Sequence, residues 1–310
     1  MRLPAYRRAT LRPAHPQNAR AGAAMCELLA MSTRQAAHLT FSLEALASHS
    51  GISCSNRDGW GAAFYQGHDV ALFREPIAAS ESPLVRLLEQ QGPATTLAIS
   101  HIRRATLGVA SLANTQPFVR ELGGRMHTFA HNGHLPGIAK SPGLAFDRYR
   151  PVGDTDSEHA FCALLERLQA LWRNGTVPLV QQRLDVVTQF AAELRPLGPA
   201  NFLYSDAEFL FAHGHRRIHP VTGRIEPPGL CWLSQRCGPA EPPLLAQGVA
   251  VLPELQAVTL IASVPLSSAD WQPFAEGEIV VVAAGQILAR VTAADAASTS
   301  TTTPINIATK

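Results

Sequence analysis

Nine short apolar runs limit what this chain can fold into. Glu27–Met31, Gly61–Tyr65, Thr96–His101, His127–His131, Asn201–Tyr204, Glu208–Ala212, Gly248–Val251, Glu278–Ala283 and Gln286–Val291 are all of strand length. Four longer periodic stretches, Leu39–Ser48, Pro83–Gln90, Ser157–Trp172 and Pro178–Leu194, read as helices. Strands and helices do not alternate regularly, so an α+β fold is favoured over a doubly wound parallel sheet. No internal repeat or linker breaks residues 25–290, and one domain is expected there.

The two ends read differently. Residues 1–24 carry five arginines, three prolines and no acid, without a helical or strand period. They are expected to be a disordered extension or an upstream start, with residues 1–25 removed or not made. Residues 293–310 are low in complexity and are expected to form a flexible tail. Removing the five arginines from the formal net charge of +2 leaves about −3 for the rest, so a nucleic-acid partner is not implied. No apolar run reaches the roughly 18–20 residues of a membrane span. The N-terminus lacks the apolar core of a secretory signal. The five cysteines form no disulfide framework, and a cytoplasmic protein with free thiols is expected.

Four clusters carry residues suited to chemistry. In Met25-Cys26, loss of one methionine would place a thiol and a free α-amine on one residue. The thiolate is the nucleophile, and an α-amine with a pKa of about 7.7–8 can act as its base. In SHIRRATLG, residues 100–108, Arg103 offers a planar fork for a carboxylate and Thr106 a hydroxyl. In TFAHNGHL, residues 128–135, a strand should end in an Asn132-Gly133 turn with positive φ available. The asparagine amide and glycine N–H are natural oxyanion donors. In GDTDSEHAF, residues 153–161, Asp156 at a helix start could hold an ammonium. Each cluster also has a plainer account: a buried cysteine, a loop with two surface arginines, a hairpin turn and a helix cap. His213, His215, His219, Cys231 and Cys237 fit no standard zinc spacing, and no metal or other cofactor is expected.

The order of the clusters is more specific than any one of them. Met-Cys, His-x-Arg-x-Ala-Thr-x-Gly, His-Asn-Gly and Thr-Asp-Ser-Glu, taken in sequence, resemble the class II glutamine amidotransferases, which are N-terminal-nucleophile hydrolases. MCELLAMS, RDGWGAAFY, NTQPF, FAHNG, ANFLYSD and EGEIVVV look closest to the small stand-alone, YafJ-like branch. The resemblance spans about residues 25–290, and the domain is placed at 26–292. It implies a four-layer αββα sandwich of two antiparallel sheets between helices. It also implies Cys26 as nucleophile, with Asn132 and Gly133 as the oxyanion hole. Arg103 and Thr106 would bind the substrate α-carboxylate end, and Asp156 the α-ammonium. Arg104 and Leu107 stand where many relatives have Trp and His, which leaves the outer wall of the pocket undefined.

Three functions fit this reading. The first is a glutaminase that releases ammonia and glutamate through a γ-glutamyl thioester, passing the ammonia to a partner protein. The second is a hydrolase of another γ-glutamyl amide or peptide. The third is a non-catalytic γ-glutamyl-binding subunit.

Overall fold

The computed structural model describes residues 26–38, 58–104, 109–173, 175–219, 222–237, 244–246, 249–251 and 256–298. Two antiparallel sheets dominate it. The first contains β1 (Glu27–His38), β2 (Trp60–Gln66), β3 (Asp69–Glu75), β4 (Ala94–Ile102), β11 (Cys231–Cys237), β14 (Gln256–Ala262) and β15 (Gln272–Pro273). Their spatial order is β15-β11-β14-β1-β4-β2-β3. The second contains β5 (Phe118–Leu122), β6 (Arg125–Gly133), β7 (Ala200–Ser205), β8 (Leu210–Gly214), β16 (Glu278–Ala283) and β17 (Gln286–Val291), in the order β17-β16-β8-β7-β6-β5. Two short hairpins complete the strands: β9 (Arg217–Ile218) with β10 (Ile225–Glu226), and β12 (Leu244–Ala246) with β13 (Val249–Val251).

The two-residue period of a strand sends alternate side chains to opposite faces, and here both faces are covered. Leu28 and Ala30 of β1, Leu97 and Ile99 of β4, Ala130 of β6, Leu203 of β7 and Val280 and Val282 of β16 meet between the sheets. Their neighbours point outward. Leu29, Met31, Ala98 and Leu260 pack beneath α1 (Pro83–Gln91). Phe129, Phe202, Phe211 and Val281 pack beneath α2 (Asp156–Leu168) and α3 (Val180–Leu194). The layers are therefore helix, sheet, sheet, helix: a mixed α+β sandwich of the N-terminal-nucleophile type. Burying a Leu, Ile or Phe on either face contributes about 1.5–3 kcal/mol relative to exposure. This is why nearly continuous apolar runs, rather than alternating ones, mark these strands.

Local signals set the helix starts. Ser82 accepts from Val85 N at 3.1 Å, with Pro83 at the first helical position of α1. Thr155, not Asp156, caps α2 by accepting from Glu158 N at 3.2 Å. A short α4 (Ala293–Ser298) follows β17.

Most expected strands appear, with shifted ends. The run at Glu27–Met31 extends to His38, and that at Glu208–Ala212 lies at Leu210–Gly214. The helices at Ser157–Trp172 and Pro178–Leu194 shorten to Asp156–Leu168 and Val180–Leu194. The expected helix Leu39–Ser48 lies outside the described residues. Strands β3, β5, β11 and β14 were not expected, because polar residues interrupt their apolar pattern.

The expected turn at Asn132-Gly133 is a correction. Both residues remain in β6, paired with Asn201 and Ala200. Gly133 is required by close packing instead of by positive φ. A Cβ there would lie 1.8 Å from Pro199 O and 2.7 Å from His131 Nε2.

Candidate active site

The register of β1 and β4 builds the first half of the site. Glu27 pairs with Ile102, so Cys26 and Arg103 stand just past the end of the same ladder. The Cys26 sulfur lies 3.2 Å from both the backbone N and the O of Arg104, accepting from the N–H and facing the carbonyl. Arg103 is 3 % exposed, so it is not the surface arginine of the plainer reading. Its N–H donates to Gly59 O at 2.8 Å, and its Nη1 lies 3.2 Å from Asp58 O and 3.4 Å from Val109 O. These carbonyls hold the guanidinium at the sheet end.

The second half comes from β6. Asn132 shares the inward parity of Ala130, so its amide crosses the gap between the sheets. Nδ2 donates to Cys26 O at 2.5 Å and lies 3.3 Å from Ser263 Oγ. Asn132 Oδ1 is buried without a hydrogen-bond partner among the described residues. The Asn132 carbonyl is held from β7 by Asn201 Nδ2 at 3.0 Å. His134 N donates to Pro199 O across the β7 ladder, so by the alternation of an antiparallel pair Gly133 N–H points the other way. On that side β5 has already ended. Gln116 replaces it for His131, accepting from its N–H at 2.6 Å and donating to its carbonyl at 3.2 Å.

Asp156 reaches the same end of the molecule from the first turn of α2. Its Oδ2 accepts from Leu135 N at 2.7 Å and lies 3.3 Å from His134 Nδ1. Its Oδ1 lies 3.4 Å from Ser157 Oγ. Ser157 beside it faces His131 Nδ1 at 2.9 Å. Thr106 lies outside the described residues.

Burial dominates the electrostatics. It pushes the Cys26 thiol up to about 11, opposed mainly by the Arg104 backbone hydrogen bond and reinforced by Glu27. Such a thiol is protonated at neutral pH and needs a base to become a nucleophile. Burial also lowers His101 to about 3, with His131 and Arg103 adding repulsion. His101 shares the inward face of β4 with Ile99, is fully buried, and has no hydrogen-bond partner on either ring nitrogen among the described residues. It is a neutral imidazole beneath the site.

The sequence reading passed over several residues here. Glu27 is fully buried and pairs with buried Arg217 at 3.0 Å; Ser263 lies between Leu28 and Asn132. An acid directly after Cys26, opening the apolar run Leu28–Met31, was a signal for the first of these. Nothing local marks Arg217 or Ser263, which arrive from distant segments. The histidine and cysteine set is dispersed: His213 is on β8 of the second sheet and Cys231 on β11 of the first. Among the described residues, no three His, Cys, Asp or Glu side chains converge as metal ligands. No described helix is long and apolar enough to cross a membrane.

Comparisons with known proteins identify the family. The sequence profile of the class II glutamine amidotransferases matches residues 25–305. YafJ of Escherichia coli (strain K12), named as a glutamine amidotransferase candidate, is 34% identical over 262 residues, covering 82% of this chain and 96% of YafJ. A crystal structure of a predicted glutamine amidotransferase from Pseudomonas aeruginosa PA01 superposes with a TM-score of 0.61 at 33% identity, over 85% of this chain and all of that one. The glutamine phosphoribosylpyrophosphate amidotransferase of Bacillus subtilis shares the fold alone. Its TM-score is 0.51 at 14% identity, with 86% of this chain matching 49% of that one. With the profile spanning nearly the whole chain and YafJ aligned almost end to end, the chain belongs to the class II glutamine amidotransferases.

Proposed function

We propose that this protein is a cysteine-dependent amide hydrolase that releases ammonia and glutamate from the side-chain amide of glutamine. The observation that carries the reading is the Asn132 amide meeting the Cys26 residue across two sheets, at 2.5 Å. A nucleophile-bearing residue and a preorganised donor are thereby held side by side. The thiol at about 11 would be ionised in only about one molecule in 10⁴ at pH 7. A peptide nitrogen cannot relieve this, and a free α-amine can. Removal of everything before Cys26 therefore creates the base.

In this mechanism the α-amine takes the thiol proton and the sulfur attacks the amide carbon. The oxyanion forms against Asn132 Nδ2 and the Gly133 N–H. The amine returns the proton to the leaving nitrogen, ammonia departs, and a γ-glutamyl thioester remains on Cys26. Water then attacks the thioester, releasing glutamate and restoring the thiol. Arg103 binds the α-carboxylate, with Thr106 beside it, and Asp156 binds the α-ammonium. Pairing both ends of an amino acid gives strong discrimination, because a buried charge left unpaired is costly. The reaction fits the cytoplasm, and an ammonia-accepting partner protein would use the product.

The test compares protein beginning at Cys26 with protein whose Cys26 nitrogen is acylated. Glutamate release from glutamine is expected from the first and is expected to fall by about 10²–10⁴-fold in the second, the usual worth of a general base. A strong preference for γ-glutamyl peptides over glutamine would move the assignment to a γ-glutamyl hydrolase. Binding of glutamine without turnover by the Cys26-initiated protein would make it a γ-glutamyl-binding subunit.

A further inference from the structure

Behind Cys26 lies a buried polar network that the proposed mechanism does not use. Arg217 enters from the segment after β8, is 4 % exposed, and pairs through Nη2 with Glu27 Oε1 at 3.0 Å. Its Nη1 donates to the Ser263 carbonyl. Ser263 follows the last residue of β14 and continues that strand's pairing with β1. Its N–H donates to Leu28 O at 3.0 Å, and its Oγ accepts from Leu28 N at 3.0 Å. The same Oγ lies 3.3 Å from Asn132 Nδ2.

This arrangement is costly. An acid and a guanidinium buried together lose hydration that their attraction need not restore, and a well-packed apolar pair would serve the fold as well. What the charges do achieve is directional. Arg217 holds the Ser263 carbonyl, and so keeps its hydroxyl beside Asn132, whose Oδ1 has no partner among the described residues to set its rotation. An asparagine amide rotates almost freely about its last bond unless hydrogen bonds choose a direction. Cys26 O takes one amide hydrogen, and Ser263 Oγ steers the second without saturating it, since 3.3 Å is the weak end of the hydrogen-bond range. The second hydrogen is thereby left for a developing oxyanion.

We infer that Ser263, braced by the buried Arg217–Glu27 pair, is a positioning residue that aims the Asn132 amide at the oxyanion. This rests on the glutaminase reading above. Ser263→Ala should lower kcat on glutamine about tenfold or more while leaving KM within about twofold, since an oxyanion donor acts in the transition state. Ser263→Thr, which keeps the hydroxyl, should recover most of the loss. In an Asn132→Ala background, the same Ser263→Ala change should cost less than about twofold, because residues acting as one unit are not additive. An equal loss in both backgrounds would overturn the inference. Should Ser263→Ala fail to fold, Ser263→Cys, which keeps the volume but accepts hydrogen bonds weakly, takes its place in the same cycle. A crystal structure of the Ser263 variant gives a readout independent of turnover. The Asn132 amide should leave the Cys26 carbonyl, and an unmoved amide would refute the positioning role. If wild-type protein hydrolyses neither glutamine nor a γ-glutamyl peptide, the glutaminase reading fails, and the crystal structure alone decides the role of Ser263.

Discussion

The space between the two sheets has two regions built from the same strands. Through the middle, the inward positions are Leu28, Ala30, Leu97, Ile99, Ala130 and Leu203, all apolar. At one end, the next inward positions of the same strands are Cys26, His101, Arg103 and Asn132. The strand direction does not change between the regions; side-chain polarity does, and the β1–β4 pairing ends at Glu27 and Ile102. The apolar region supplies cohesion. The polar region keeps several buried polar atoms without a partner among the described residues, both His101 ring nitrogens and Asn132 Oδ1 included, and is tolerable because cohesion next door keeps the strands in register.

The comparison can be broken most sharply on its polar side. Asn132→Ala should lower kcat on glutamine by about 10²–10³-fold with a smaller change in KM, as loss of an oxyanion donor requires. An unchanged kcat would remove Asn132 from the mechanism. Arg103→Lys should be milder. It keeps the charge but loses the planar fork, so KM for glutamine should rise by roughly ten- to a hundredfold while kcat holds, with steady-state kinetics as the check.

Acid should sharpen the comparison next. Burial lowers His101 and His213 to about 3 and His127 to about 4. Each is neutral in the fold but takes up a proton when unfolded below its ordinary value of about 6.5. The unfolded chain therefore binds more protons in this window. Stability contributed by these groups is present in full above about pH 6.5 and is lost as pH falls toward 4. Each adds a slope of at most about 1.4 kcal/mol per pH unit, read from urea unfolding across pH 4–7. A flat profile would show that these rings are hydrated.

The smallest effect belongs to the apolar side. Ile99→Val should cost about 0.5–1.5 kcal/mol of unfolding free energy and leave KM for glutamine unchanged. A change in KM would mean that the middle of the gap transmits strain to the site.

Much of this was legible before any coordinates. Cys26, Arg103, Asn132 and Asp156 stood out as a set through the order of their motifs, and the first three meet or neighbour one another in space. The reading failed where pairing overrode local signals. Asn-Gly looks like a turn, yet β7 keeps both residues in β6, and Gly133 is needed so that Pro199 can approach. Strands such as β11 and β14 were missed because Gln, Ser and Arg break the apolar run of one, and Gln and Thr that of the other; Thr259 is buried mid-strand with its hydroxyl donating to Gly285 O at 2.8 Å.

The sequence by itself determined the two-residue period, the helix caps at Ser82 and Thr155, and the order of the chemical motifs, because these depend on residues close along the chain. Tertiary structure decided which strand ends meet. Glu27, Asn132, Arg217 and Ser263 are as much as 236 positions apart in numbering and become neighbours only when β1 pairs with β14 and the second sheet stacks on the first. Their meeting is a matter of sheet order and register, which no local propensity encodes.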